Sequence, residues 1–176
     1  MGPERRSQGN RAERSINAGF YEDGSRVLTQ EAFYFVFNNE MKRAVRLQNF
    51  ITLIVLEASG EQQREPVAAD DATVREVAEL ISRDVRETDL LGHTEQGTLS
   101  LVLFDANFEQ SRHVVDRLTT RVESYEFPAP LQIAVGAACY PTHGAHVDEL
   151  RHEAVSHPLV TWRREAASHN RSLNGN

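Results

Sequence analysis

The residues best equipped for chemistry stand in one stretch, "RETDLLGHTEQGTLSLVLF", residues 86–104. It reads as a charged turn, with Arg86 and Asp89 three positions apart, feeding a buried strand. Arginine presents a planar fork of donors that suits base edges and phosphates, and an ionised aspartate is a pure acceptor. On its own the pair also reads as a local surface ion pair at a helix end, worth about 0–1 kcal/mol. The other reactive types are scattered. His143, His146, His152 and His157 crowd the last turn and helix, but their spacing fits no common zinc template, and only Cys139 stands near. They read as surface histidines, and Cys139, inside an apolar run, as a small core filler. His93 has the right chemistry for a pH sensor, with no partner specified nearby.

These residues need elements to hold them. Phe33, Phe37, Met41, Ala44 and Val45 recur at helical spacing behind Thr29, a candidate cap. Of the aromatics in "EAFYFVFNNEM", not all can face one core, so Tyr34 or Phe35 is a candidate for contact with another chain. "NFITLIVLEA" has the continuous apolar character of a central strand. "SGEQQREPVAADD" reads as loop. Val74, Val77, Ala78, Ile81 and Val85 mark a second helix, opened by Thr73 with Glu76 three residues on. "TDLLGH" and "TLSLVLF", joined by the polar "TEQG", read as a hairpin. Asn107 with Gln110 opens a third helix carrying Val115, Leu118 and Val122. "LQIAVGAACY" is another strand, in which Gly136 and Ala137 point to close backbone approach. A last helix is expected through about Ala167, with a break at Pro158, and Trp162 covering the edge of the core. This order predicts an α/β (α+β) fold: a mixed central sheet with helices packed around it. Residues 1–19 read as a disordered arm or linker, 20–170 as one domain, and 171–176 as a flexible tail.

Composition excludes several classes. A net charge of −7 argues against a general nucleic-acid binder. Lys42 is the only lysine among 19 basic residues, so the cationic surface is almost wholly guanidinium. No run approaches the roughly 18 apolar residues of a membrane span, and the Arg-rich start is no secretory signal. A single cysteine forms no internal disulfide, and the expectation is cytoplasmic residence.

The ordered landmarks resemble the GGDEF family, the diguanylate cyclase domain of bacterial signalling. "EMKRAVRLQNFITLIVLEAS" is similar to that family's first helix and strand, "RETDLLGHTEQGTLSLVL" to its Arg-x-x-Asp, five-residue spacer and signature, and "IAVGAACYPTHGAHVDELRHEA" to its late strand and following helix. The likeness runs from about Tyr21 to Arg171. It implies a nucleotidyl-cyclase-like fold with a ferredoxin-like βαββαβ core.

At the signature the chain departs from the family. "EQGTL" stands where Gly-Gly-Asp/Glu-Glu-Phe is expected. Glu95 and Gln96 replace the glycines that let triphosphate approach the backbone; Gly97 and Thr98 replace the acids. A carboxylate about 4 Å from a phosphate charge is opposed by about 4 kcal/mol at a surface-like dielectric. The first strand ends in Glu57-Ala58-Ser59 rather than Asp-x-Asp, so Glu57 is a lone metal-ligand candidate, short of the clamp phosphoryl transfer needs. The Phe-Lys…Asn-Asp segment is absent, and the early Asp-x-Leu-Thr…Asn-Arg element is eroded to "YEDGSRVLTQEAF". The resemblance therefore implies lost cyclase activity and no required cofactor.

The family's inhibitory site, by contrast, is matched. The resemblance makes Arg86 and Asp89 the pair that binds cyclic di-GMP, adds Arg117 one helix along, and makes Arg43 the arginine a neighbouring domain offers to the same ligand. Arginine donates two hydrogen bonds to guanine O6 and N7, a pairing worth about 1–3 kcal/mol of discrimination. The leading expectation is thus an inactive GGDEF-like signalling domain acting as a cyclic di-GMP receptor, as a homodimer or with a heterologous signalling protein. A ligand-free interaction module is the second reading. A metal-dependent nucleotide enzyme using Glu57 and Glu95 is the third.

Overall fold

The computed structural model describes residues 20–22, 25–62 and 65–164. The expected arm 1–19 and tail 171–176 lie outside the described residues. Four helices and six strands follow in the order α1 (Gln30–Leu47), β1 (Ile51–Gln62), β2 (Glu65–Ala68), α2 (Asp71–Ser82), β3 (Leu90–Glu95), β4 (Thr98–Phe104), α3 (Phe108–Glu123), β5 (Leu131–Tyr140), α4 (Val147–Ser156) and β6 (Val160–Arg164). None of these helices is long and apolar enough to cross a membrane.

β1 is central because its apolar run serves both faces. Ile51, Leu53 and Val55 pack under α1 and α4; Ile54, Leu56 and Ala58 pack under α2 and α3. A strand buried on both sides reads as continuous rather than alternating. The sheet order is β3-β4-β1-β5-β6, with β2 pairing the far end of β1. Two βαβ crossovers, β1–α2–β3 and β4–α3–β5, linked by the β3–β4 hairpin, give the ferredoxin-like core. The expected mixed sheet is antiparallel in every strand pair. β3 runs parallel to β1, but its hairpin partner β4 lies between them. The parallel pairing is the isolated bridge Leu28–Gly92.

Local signals explain most boundaries. The Thr29 hydroxyl accepts from the Ala32 N–H at the start of α1, and Asn107 with Gln110 closes a reciprocal capping box on α3. The α2 cap is Asp70, not Thr73: its carboxylate accepts from the Thr73 N–H at 2.8 Å. Phe33 and Phe37 are fully buried, each worth about 2–3 kcal/mol of burial, whereas Val45, expected inside, is exposed. Val85 lies beyond the end of α2 but still packs against the core.

Two segments differ from the sequence reading. "SGEQQREPVAADD" is not all loop: Ser59–Gln62 continue β1, and Glu65–Ala68 return as β2 in the register Ser59–Ala68. All four β2 residues are exposed, so backbone pairing holds this hairpin and no hydrophobic alternation marks it. The last helix does not reach Ala167. It stops at Ser156; His157 leaves the helical region ahead of Pro158, as the pre-proline bias against helical backbone requires. Val160–Arg164 then pair antiparallel with β5. Trp162 covers the edge of the core there, ring centroid 6.0 Å from Phe127.

Gly136 meets its expectation of close approach. A Cβ there would lie 1.7 Å from the Ala154 carbonyl oxygen, so glycine lets α4 seat directly on β5.

Candidate functional site

Arg86 and Asp89 stand on the turn between α2 and β3. The Asp89 N–H donates to the Arg86 carbonyl at 3.2 Å, and the Asp89 carboxylate accepts from the Arg86 N–H at 3.3 Å. The turn thus shapes itself and leaves the Arg86 side chain on the exposed surface. Burial pushes the half-buried Asp89 carboxyl above the usual aspartate range, partly opposed by hydrogen bonds and by the charges of Arg86 and Arg117. Arg117 reaches the same corner from α3. Its Nη2 donates to the Asp84 carbonyl at 2.7 Å, and its Nε lies 3.9 Å from the Asp84 carboxylate.

Asp84 is the post that ties the corner together. Its side chain is 13% exposed and accepts two bonds from Arg121, at 2.7 and 3.0 Å. The Arg121 hydrogen bond holds its carboxyl below the usual range. Neither Asp84 nor Arg121 was singled out from the sequence. Their pairing crosses from the α2 end to α3, and no short-range pattern encodes it.

Arg43 lies elsewhere on the same chain. It is on α1, 62% exposed and 3.6 Å from Glu40. It lines a groove of about 400 Å³ with Phe50, Thr88, Phe104 and Asp105. The groove touches the turn through Thr88, and the acid paired with Arg43 is Glu40 of its own helix.

The hairpin tip, Glu95–Thr98, is closed by its neighbours. The Ala58 N–H donates to the Gly97 carbonyl at 2.7 Å, and the Ala69 N–H to the Ala58 carbonyl at 2.9 Å. Gly97 has φ of 74°, and a Cβ there would lie 2.7 Å from Ala58 O and 3.1 Å from Ala68 Cβ. The backbone at the tip is therefore bonded to β1, and the β2–α2 connection packs close against Gly97. Gln96 is exposed and Thr98 buried. Glu57 and Glu95 both register with Thr98, on opposite sides of β4, which separates their backbones by two strand spacings, roughly 10 Å. Glu95 is bonded by Arg151 of α4, and Arg151 also interacts with the Tyr34 hydroxyl, whose pKa burial raises. Arg151 was missed in the sequence. The stripe Val147, Leu150 and Ala154 places it on the flank of α4, but its partner lies on a distant hairpin.

The remaining candidates have structural partners. His143 Nδ1 accepts from the Cys139 N–H at 3.0 Å, and its ring lies 4.8 Å from Phe108. His157 pairs with Glu153. Cys139 is buried, and burial raises its thiol pKa. Among the described residues no group of three or more His, Cys, Asp or Glu is placed to hold a metal. His93 does have a partner: its Nδ1 lies 3.0 Å from Glu22. Tyr34 packs inward, while Phe35 is 65% exposed.

No family model matches the chain, and no curated protein matches it. Solved structures do. The coiled coil and GGDEF domain of DgcB from Caulobacter crescentus, in complex with c-di-GMP, is similar at TM-score 0.67 and 12% identity, covering 86% of this chain and 84% of that one. A DGC protein from Thermotoga maritima is similar at TM-score 0.62 and 14% identity, covering 74% and 94%. The FimX GGDEF domain from Pseudomonas aeruginosa is similar at TM-score 0.61 and 18% identity, covering 77% and 89%. At such identities the likeness is one of architecture: this chain has the fold of the GGDEF domains.

Proposed function

We propose that this chain is a cyclic di-GMP receptor on a GGDEF-like scaffold that has lost diguanylate cyclase activity. The observation that carries the reading is the RETD corner, where Arg86, Asp89 and Arg117 from two elements surround one exposed turn. Arg86 supplies the fork for a guanine edge, Asp89 an acceptor for that base's N–H groups, and Arg117 a second cation for phosphate. The structures of DgcB in complex with c-di-GMP support a ligand of this class on this fold.

The hairpin tip supports the loss of synthesis. A GTP phosphate approaching it would meet the Glu95 carboxylate, whose charge Arg151 only partly offsets. The fold family implies a magnesium ion there. The donors present do not fit one: Glu57 stands alone at the end of the apolar part of β1, and Glu95 already neutralises an arginine.

The ligand-free interaction module has one observation in its favour, because Asp89 already serves its own turn. Fluorescence anisotropy with labelled cyclic di-GMP separates the two readings. Receptor function predicts saturable binding that Arg86→Ala weakens by about tenfold or more. Equal binding by wild type and Arg86→Ala, or none by either, would leave the scaffold reading standing.

A further inference from the structure

The segment before α1 runs beside β3. The Leu28 N–H donates to the Leu91 carbonyl at 2.8 Å, and the His93 N–H donates to the Leu28 carbonyl at 3.1 Å. Glu22 reaches His93 Nδ1 at 3.0 Å, so a side-chain clasp reinforces the backbone pairing. Between these anchors, Arg26 points at the RETD corner. Its Nη2 donates to the Arg86 carbonyl at 3.5 Å, on the exposed surface. Arg117 donates to the carbonyl of Asp84 in the same turn. Guanidinium groups from the pre-α1 segment, the turn and α3 therefore surround one short stretch of backbone.

We infer that Arg26 is a further ligand-binding residue of this corner, and that through it the bound ligand secures the pre-α1 segment against β3. This rests on the receptor reading above. The bond Arg26 makes in the free protein is long and solvent-exposed, so releasing it costs little. Asp84 is already engaged by Arg121 and Arg117, and a cyclic dinucleotide brings two phosphodiester charges to which the exposed Arg26 and Arg86 can donate. Arg26 reaches the ligand only while its segment is docked. Linkage then requires the ligand to strengthen docking by the factor that docking strengthens the ligand.

The full chain is titrated with cyclic di-GMP, as wild type and as Arg26→Ala, while amide hydrogen exchange is followed over residues 20–29. Arg26→Ala is expected to weaken binding by about five- to tenfold, the loss of one exposed charge-assisted hydrogen bond. Saturating ligand is expected to slow exchange in this segment in wild type and not in Arg26→Ala. Wild-type binding with an unchanged affinity in Arg26→Ala would overturn the inference and leave the receptor reading intact. So would equal protection of the segment in both proteins. Absence of wild-type binding would overturn both together.

Discussion

Asp89 answers to two demands that pull apart. The proposed ligand recognition needs its carboxylate ionised, while burial disfavours that form and raises its pKa. The sign follows: between the ordinary aspartate value and the raised native one, the unfolded chain has released the proton and the folded chain has not. This residue's contribution to stability is therefore largest at low pH and declines as pH rises through the native value. Asp89→Asn keeps an acceptor for the Arg86 N–H and removes the charge. It is expected to show slightly higher stability at neutral pH, with about tenfold weaker cyclic di-GMP binding. Urea denaturation from pH 3 to 7, wild type against variant, reads the first effect. A variant that is less stable at every pH would contradict it. Arg86, Asp89 and Arg117 were legible in the sequence because their spacing resembles a known motif. Arg26, Asp84 and Arg151 were not, since each is defined by a partner on another element.

Between elements, Asp84 joins the end of α2 to α3 through Arg121 and Arg117. Its carboxyl is held low chiefly by the Arg121 hydrogen bond. The sign here is opposite to that of Asp89. Its stabilisation is present above the ordinary aspartate value and is lost as pH falls through the lower native one. Arg121→Ala is expected to lower stability at neutral pH, with the exposure of Arg121 limiting the loss. The gap between wild type and variant should close on acidification, and thermal melts at pH 7 and pH 3 measure it. A gap that widens in acid would refute the assignment. The elements themselves were read unevenly. Helix stripes and the continuous runs of β1 and β4 were legible because burial selects residue type there. The β1–β2 hairpin was hidden because the β2 residues meet water on both faces, and β6 because the histidines and Pro158 masked a half-buried "VTWRR". At Gly97, sequence showed only lost acids; the backbone bonds that close the tip belong to tertiary structure.

At the scale of the molecule, the groove that Arg43 lines reaches the turn through Thr88. On the receptor reading proposed above, Arg43 comes from a second copy. Cyclic di-GMP is therefore expected to shift the chain from monomer toward dimer in analytical ultracentrifugation. Arg43→Ala should abolish that shift while leaving the first binding step within about twofold, the range of an exposed charge. Ligand-induced dimers of Arg43→Ala would show that another surface joins the copies. The proposed function rests on two places in the fold: a hairpin tip where Glu95 is paired with Arg151, and a corner where Arg86 is exposed. One calorimetric comparison on the purified full chain tests that reading most directly, titrating cyclic di-GMP and then, separately, GTP with Mg²⁺. The account predicts saturable heat with cyclic di-GMP, lost in Arg86→Ala, and no sustained turnover heat with GTP. Sustained heat from GTP with cyclic dinucleotide as product, or silence with cyclic di-GMP, would contradict it.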